Sequence, residues 1–437
     1  MKNLGFIRDA FGICAAAALL ASCGTNISTV PQGNRDDAEA HSLTPVPFGR
    51  PAGSRHHERV LWSFTTNGKT GEGDPLSGLI LDNSGALYGT FFLSADDGDG
   101  GGVFELTPSR SGYSKSAYCF CGTPSALGKN PAGGLIFDNQ GALYGTDSYG
   151  GSYGRGTVFK LTPPVSEYSA VSVLHYFAGG SDGASPFAGL VFDDKGALYG
   201  TTVGGGYYGY GTVFKLTPSG SGYSESVLYS FSGGRDGANP YDGLILDKKD
   251  ALYGTTSAGG YRGAGTVFKL TPSGSGYSES TLYRFQGRND GANPYAGLIF
   301  DEKGALYGTT AGGGHKGFGT VFKLTPFGSS EYGETVLLRF GGRNGGAHPH
   351  AGLIFSKKGK LFGTTSSGGR YGFGTVFKLT PSGSGYSESV LHPFNYKDGA
   401  SPQAGLTFGS TGVLYGTTSG GGDHGLSGFG TVFELTP

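Results

Sequence analysis

The residues whose types and spacing could do chemistry fall into three groups. Asp96-Asp97-Gly98-Asp99-Gly100 places three carboxylates within five residues, oxygen donors of the kind Ca²⁺ takes, but without the spacing of an EF-hand loop or its glutamate at position twelve. Asp96, Asp97 and Asp99 are therefore the candidate metal ligands and Ca²⁺ the ion they would hold, against the plainer reading of a solvated acidic loop. No other cofactor is expected. His315, His348 and His350 are near enough in sequence to meet across neighbouring loops, yet no helical or zinc-finger spacing supports a metal site. The third group is aromatic and basic: Tyr149, Tyr153, Tyr207, Tyr208, Tyr261, Arg262, His315, Arg370, Tyr371 and His424 in one set of glycine-rich segments, and Phe187, Tyr241, Tyr295 and His350 in another. Aromatic faces beside Arg or His donors suit stacking on sugar rings or on an extended peptide. The competing reading is that tyrosines, amphipathic by nature, pave the loops.

These residues are positioned by one unit that recurs. Its clearest copy runs Ser226-Val227-Leu228-Tyr229-Ser230-Phe231, Gly243-Leu244-Ile245-Leu246-Asp247, Ala251-Leu252-Tyr253-Gly254-Thr255-Thr256 and Thr266-Val267-Phe268-Lys269-Leu270-Thr271-Pro272. The aromatic-Gly landmark falls at Tyr88, Tyr144, Tyr199, Tyr253, Tyr307, Phe362 and Tyr415, at spacings of 53 to 56 residues. Seven copies of four short strand-like runs, rich in turn residues, indicate an all-β, seven-bladed β-propeller of four-stranded blades. Three residues separate Asp247 from Ala251, a tight hairpin whose last position is Gly in six copies and Asp250 in the other, so positive φ is expected there. Nine residues separate Thr256 from Thr266 and eleven separate Phe231 from Gly243. Strand A is thus Gly243 to Asp247, B Ala251 to Thr256, C Thr266 to Thr271, and the Val-Leu-Tyr-Ser-Phe run is D. The long D-to-A and B-to-C loops then share a face, which is where a ligand would bind.

Val60-Leu61-Trp62-Ser63-Phe64 is a D run with nothing before it, and the last copy ends after C at Pro437. The ring is therefore expected to close by pairing residues 60–64 with Thr431 to Leu435, removing the open edges. Glycine, 87 of 437 residues, follows from the same architecture. Strand A starts with Gly in all copies, from Gly78 to Gly405, because seven inner strands crowd one axis, and Gly89 and its equivalents in strand B imply close approach or a bulge. Asp82, Asp138, Asp193, Asp247 and Asp301 recur at the end of strand A, which reads as an Asx turn, since a chemical site would break the symmetry. A net charge of −1, from 32 basic and 33 acidic residues, gives no electrostatic case for nucleic acid.

The first 22 residues read as an export signal: Lys2 and Arg8 precede the apolar run from Phe11 to Ala21, too short for a membrane span. Leu20-Ala21-Ser22-Cys23-Gly24 resembles the lipobox of bacterial lipoproteins, which implies an acylated Cys23 as the anchor and, with Gly24 next, sorting to the outer membrane. Residues 23–58 are a flexible tether and 59–437 a monomeric propeller touching the membrane only through its lipid. Cys119 and Cys121, if extended, lie about 7 Å apart on one face, too far for a relaxed bridge, so free thiols are expected over a strained disulfide.

Gly-Leu-Ile-Phe-Asp, Gly-Ala-Leu-Tyr-Gly-Thr-Thr and Gly-Thr-Val-Phe-Lys-Leu-Thr-Pro resemble the GloVer tandem-repeat family of exported bacterial proteins, over about residues 59 to 437. The rhythm is more distantly similar to NHL-type propellers. The resemblance implies a repeat domain carried at the cell surface and supplies no catalytic residue. The leading expectation is a binding module for polysaccharide, peptide or protein at the cell envelope. The runner-up is a propeller enzyme of lactonase or glycan-lyase type, with a metal or acid/base site in the axial funnel. A passive structural array is the third.

Overall fold

Leu-Tyr-Gly-Thr-Thr, the sequence of the second strand of most repeats, is buried along its whole length, so both of its faces must be covered by neighbouring sheets. The computed structural model supplies that cover. It describes residues 56–65, 72–94, 100–120, 127–166, 169–327, 331–383, 385–423 and 428–437, which hold seven four-stranded antiparallel sheets, the blades of a β-propeller. In the fourth blade the order is A (Ile245–Leu246), B (Leu252–Thr256), C (Thr266–Ser273) and D (Gly276–Arg284). Strand A is shorter than the five residues expected. Asp247 leaves the ladder to cap the A-to-B hairpin, its Oδ1 accepting the amides of Lys249 and Ala251 and its Oδ2 the Tyr253 hydroxyl. The four other aspartates named above do the same, and the residue expected at positive φ has it in all seven blades, Asp250 (φ 60°) included.

Burial forces the strand B threonines to find partners. Thr256 and Thr266 join hydroxyls at 2.8 Å within the blade, and the Thr255 hydroxyl donates to the Ala296 carbonyl of the next blade. Gly254 is required because an added Cβ would stand 2.6 Å from Phe268 Cζ. That ring meets Phe231 of the preceding blade edge-on at 5.0 Å. The same glycine-over-phenylalanine pair recurs in all seven blades, so Gly89 and its equivalents serve packing, while the bulges fall between strands C and D.

The ring closes as expected. His57–Thr65 pairs antiparallel with Gly428–Thr436, Val60 opposite Phe433 and Ser63 opposite Thr431, completing the seventh blade as its outer strand. Phe64 packs on Phe104 of the first blade at 5.2 Å, the contact Phe231 makes with Phe268. At the axis the glycines that begin strand A abut: a Cβ on Gly243 would lie 3.1 Å from the Gly189 carbonyl oxygen, and one on Gly78 3.3 Å from that of Gly405. Among the described residues no helix is long and apolar enough to cross a membrane.

Strand D of the first blade ends at Cys119. Cys119 is disulfide-bonded, which overturns the expectation of free thiols; its partner lies outside the described residues.

Candidate functional site

In every blade the D-to-A loop turns through a residue of left-handed φ placed before a proline: Asp74, Asn130, Ser185, Asn239, Asn293, His348 and Ser401. Such φ values are unfavourable for residues other than glycine. Tertiary hydrogen bonds offset this. The amides of Asn239, Asn293 and His348 donate to Tyr210, Ala264 and Phe318, and their side chains donate to the carbonyls of Val203, Ser257 and Ala311. Bridges such as Ala238 with Ala258 and Ala292 with Gly312 tie the D-to-A loop to the B-to-C loop, so the two long loops do share a face.

The residue after each proline is thereby held at an equivalent place next to the axis. From the third to the sixth blade it is Phe187, Tyr241, Tyr295 and His350, and their rings form a continuous arc. Phe187 meets Tyr241 at 5.7 Å, Tyr241 meets Tyr295 edge-on at 5.2 Å, and Tyr295 stacks on His350 at 5.2 Å and 28°. Tyr149 of the second blade's B-to-C loop extends the arc, edge-on to Phe187 at 6.3 Å. Burial, then the neighbouring phenols of Tyr295 and Tyr149, raise the pKa of Tyr241. Its hydroxyl is therefore a neutral donor and acceptor. Burial, and to a lesser extent His348, pull the His350 imidazole down to about 4, so this ring too is neutral near pH 7. The other three blades place Leu76, Ala132 and Gln403 here, which makes one side of the funnel aromatic and the other not.

The remaining candidates stand apart from the arc. Tyr153, Tyr207, Tyr208, Tyr261 and Tyr371 are exposed on the B-to-C loops, Tyr207 to 78%. Tyr207 and Tyr208 meet edge-on at 4.9 Å, Tyr261 carries Arg235 and Arg284 against its ring, and Arg370 lies over Tyr371. Arg262 and His315 are exposed. The three histidines form no ligand set: His348 is spent on the Ala311 carbonyl, His350 on Tyr295, and His315 faces solvent. Asp96, Asp97, Asp99, His424 and Cys23 lie outside the described residues.

A family model for the Gloeobacter/Verrucomicrobia repeat matches residues 51–223, 140–332 and 278–437. The chain belongs to the Gloeobacter/Verrucomicrobia repeat family. No curated protein matches it. Among solved structures it is similar to an oxidoreductase described as a glucose dehydrogenase from Thermus thermophilus, at 17% identity and TM-score 0.41, covering 71% of this chain and 97% of that one. It is also similar to a protein described as a 6-phosphogluconolactonase from Bacteroides uniformis, at 16% identity and TM-score 0.46, covering 72% and 84%. A mutant of AofleA from Arthrobotrys oligospora matches at 9% identity and TM-score 0.41, covering 78% and 92%.

One residue of this Gloeobacter/Verrucomicrobia repeat chain escaped the sequence reading. Asp242 follows Tyr241 at the axis, where the other blades carry Ser, Gly or Ala. Its two oxygens accept the amides of Gly243, 2.6 Å, and of Gly297 in the next blade, 2.5 Å. Burial outweighs these bonds and moves its pKa upward. The break in the repeat at this single position was the signal available.

Proposed function

We propose that this protein is a non-catalytic binding module that takes a polysaccharide chain on its long-loop face. The observation that carries the reading is the arc of Tyr149, Phe187, Tyr241, Tyr295 and His350. A row of half-buried rings on adjacent blades offers apolar ring surface to the C–H faces of a sugar chain, with phenol hydroxyls for its polar rim. The exposed tyrosines further out extend the same face and would take more distant sugar units. The N-terminal layout ending at Cys23 supports export and anchoring by a lipid, with residues 23–58 as the tether. Replacing Cys23 by Ser should abolish labelling by radioactive palmitate; labelling that persists contradicts the anchor.

Asp242 favours a second reading, an enzyme of lactonase or glycan-lyase type, because it is an acid of raised pKa beside the arc. Both of its oxygens are held by backbone amides, which speaks for a structural part. Thermal unfolding of the purified protein with cellohexaose, xylohexaose or chitohexaose tests the two together. A concentration-dependent rise in Tm with the oligosaccharide recovered intact supports the binding module. Cleaved oligosaccharide supports the enzyme, and an unchanged Tm with all three argues against a site for these sugars.

A further inference from the structure

Away from the axis, blade interfaces of the described residues set three positions side by side: a strand D residue opposite the strand C valine, a D-to-A loop residue, and a strand D residue of the next blade. At the third-to-fourth and fourth-to-fifth interfaces these are Tyr229, Asp236 and Glu279, and Tyr283, Asp290 and Glu334, the tyrosine hydroxyls donating to the aspartates at 3.0 and 3.1 Å. At the seventh-to-first interface the chain supplies its own cation. Lys115 stands at the glutamate position, pairs with Glu72 of the loop and lies 5.8 Å from the ring of Trp62. At two interfaces, and only there among the described residues, the first position is histidine.

His175, Asp182 and Glu225 bring one donor atom each to within 4.8 Å of one another, and so do His392, Asp398 and Glu58. His175 Nε2 is 3.0 Å from Asp182 Oδ1 and His392 Nε2 is 3.2 Å from Asp398 Oδ2, separations that two ligands of one metal ion also adopt. The second oxygen of each aspartate is held by a backbone amide, of Ala178 and of Asn395, which fixes the carboxylate. Glu225 Oε1 and Glu58 Oε1 are buried with no hydrogen-bond partner, as are Glu334 Oε1 and Glu388 Oε1 at the same position of interfaces without histidine, and only beside His175 and His392 does such an oxygen meet an imidazole and a carboxylate that could share a cation with it. We propose that the second-to-third and sixth-to-seventh blade interfaces each bind a divalent metal ion of the zinc class through one imidazole and two carboxylates. The imidazole selects against Ca²⁺ and Mg²⁺, which favour all-oxygen sites. The second site joins Glu58 of the closing strand to the sixth blade, so the metal there also fastens the ring.

The repeat supplies the control. Changing His175 and His392 to Tyr gives both interfaces the residue that strand D of the third and fourth blades carries, keeping a donor for the aspartate. Zn²⁺ is titrated into EDTA-treated, dialysed full-length protein by calorimetry, and Tm is followed with and without ZnCl₂. The expected result is two equivalents bound and a Tm raised by about 3 °C or more, with both effects lost in H175Y/H392Y while the metal-free Tm stays near that of the parent. Should that variant fold poorly, E225Q/E58Q serves in its place. Zn²⁺ binding that persists unchanged in the folded variant, no Zn²⁺ binding by the parent, or an equal response to CaCl₂ would overturn the proposal.

Discussion

The hydroxyl of Thr417 in the seventh blade donates to the carbonyl of Ser77, 340 residues earlier, over 3.1 Å. It is the bond Thr309 makes with Ala351 between the fifth and sixth blades, so the seam of the ring is built like its interior joints. Thr417→Val should destabilise by about 1–2 kcal/mol by stranding a buried carbonyl. Phe64→Ala, which empties the closing strand's core position, should cost about 3–5 kcal/mol. Deleting residues 57–65 should lower Tm further and produce oligomers on size exclusion, because strand C of the last blade becomes an open edge. Monomers with the parental Tm would contradict this closure.

Glycine at strand B answers a packing demand that glycine in the C-to-D hairpin does not. Gly254→Ala forces a methyl group to within 2.6 Å of Phe268 and 2.9 Å of Leu244, and should cost about 1–3 kcal/mol by chemical denaturation. Gly276→Ala meets nothing within 4 Å and should change stability by less than about 0.5 kcal/mol. Equal effects would refute the distinction.

Asp147 stands where later blades have Thr256 or Thr310, buried, with Oδ2 accepting the Thr157 hydroxyl and Oδ1 without a partner. Burial, partly countered by that bond, pushes it up to about 8. A raised folded-state value means the acid's contribution to stability is whole below its unfolded value, near 3.8, and is lost as pH rises through about 8. Asp147→Thr should flatten this decline and stabilise the protein at pH 8 by on the order of 3 kcal/mol. Chemical denaturation at pH 5 and pH 8 checks it; an unchanged pH dependence would exclude Asp147 as its source.

Much of this fold was legible because the repeat exposes its own grammar. A landmark every 53 to 56 residues gave the blade count, loop lengths gave the strand order, and the unpaired run from Val60 to Phe64 gave the closure. Phe187, Tyr241, Tyr295 and His350 were visible as one position in four copies, but their ring-to-ring contacts exist only once the blades stand around an axis. His175, Asp182 and Glu225 were not visible as a set, because two strands and a loop of adjacent repeats contribute one residue each. Aligning the copies and asking where Tyr becomes His would have found it. The Cys119 expectation rested on an extended strand, and strand D ends at Cys119.

The most direct test of the central claim is calorimetric titration of one oligosaccharide, the hexamer giving the largest Tm rise, into the parent, into Tyr241→Ala/Tyr295→Ala and into Tyr207→Ala/Tyr371→Ala. The axial arc predicts loss of about tenfold or more in affinity for the first variant, at least about 1.4 kcal/mol, and a smaller loss for the second. Unchanged affinity in a folded Tyr241→Ala/Tyr295→Ala protein would contradict the account.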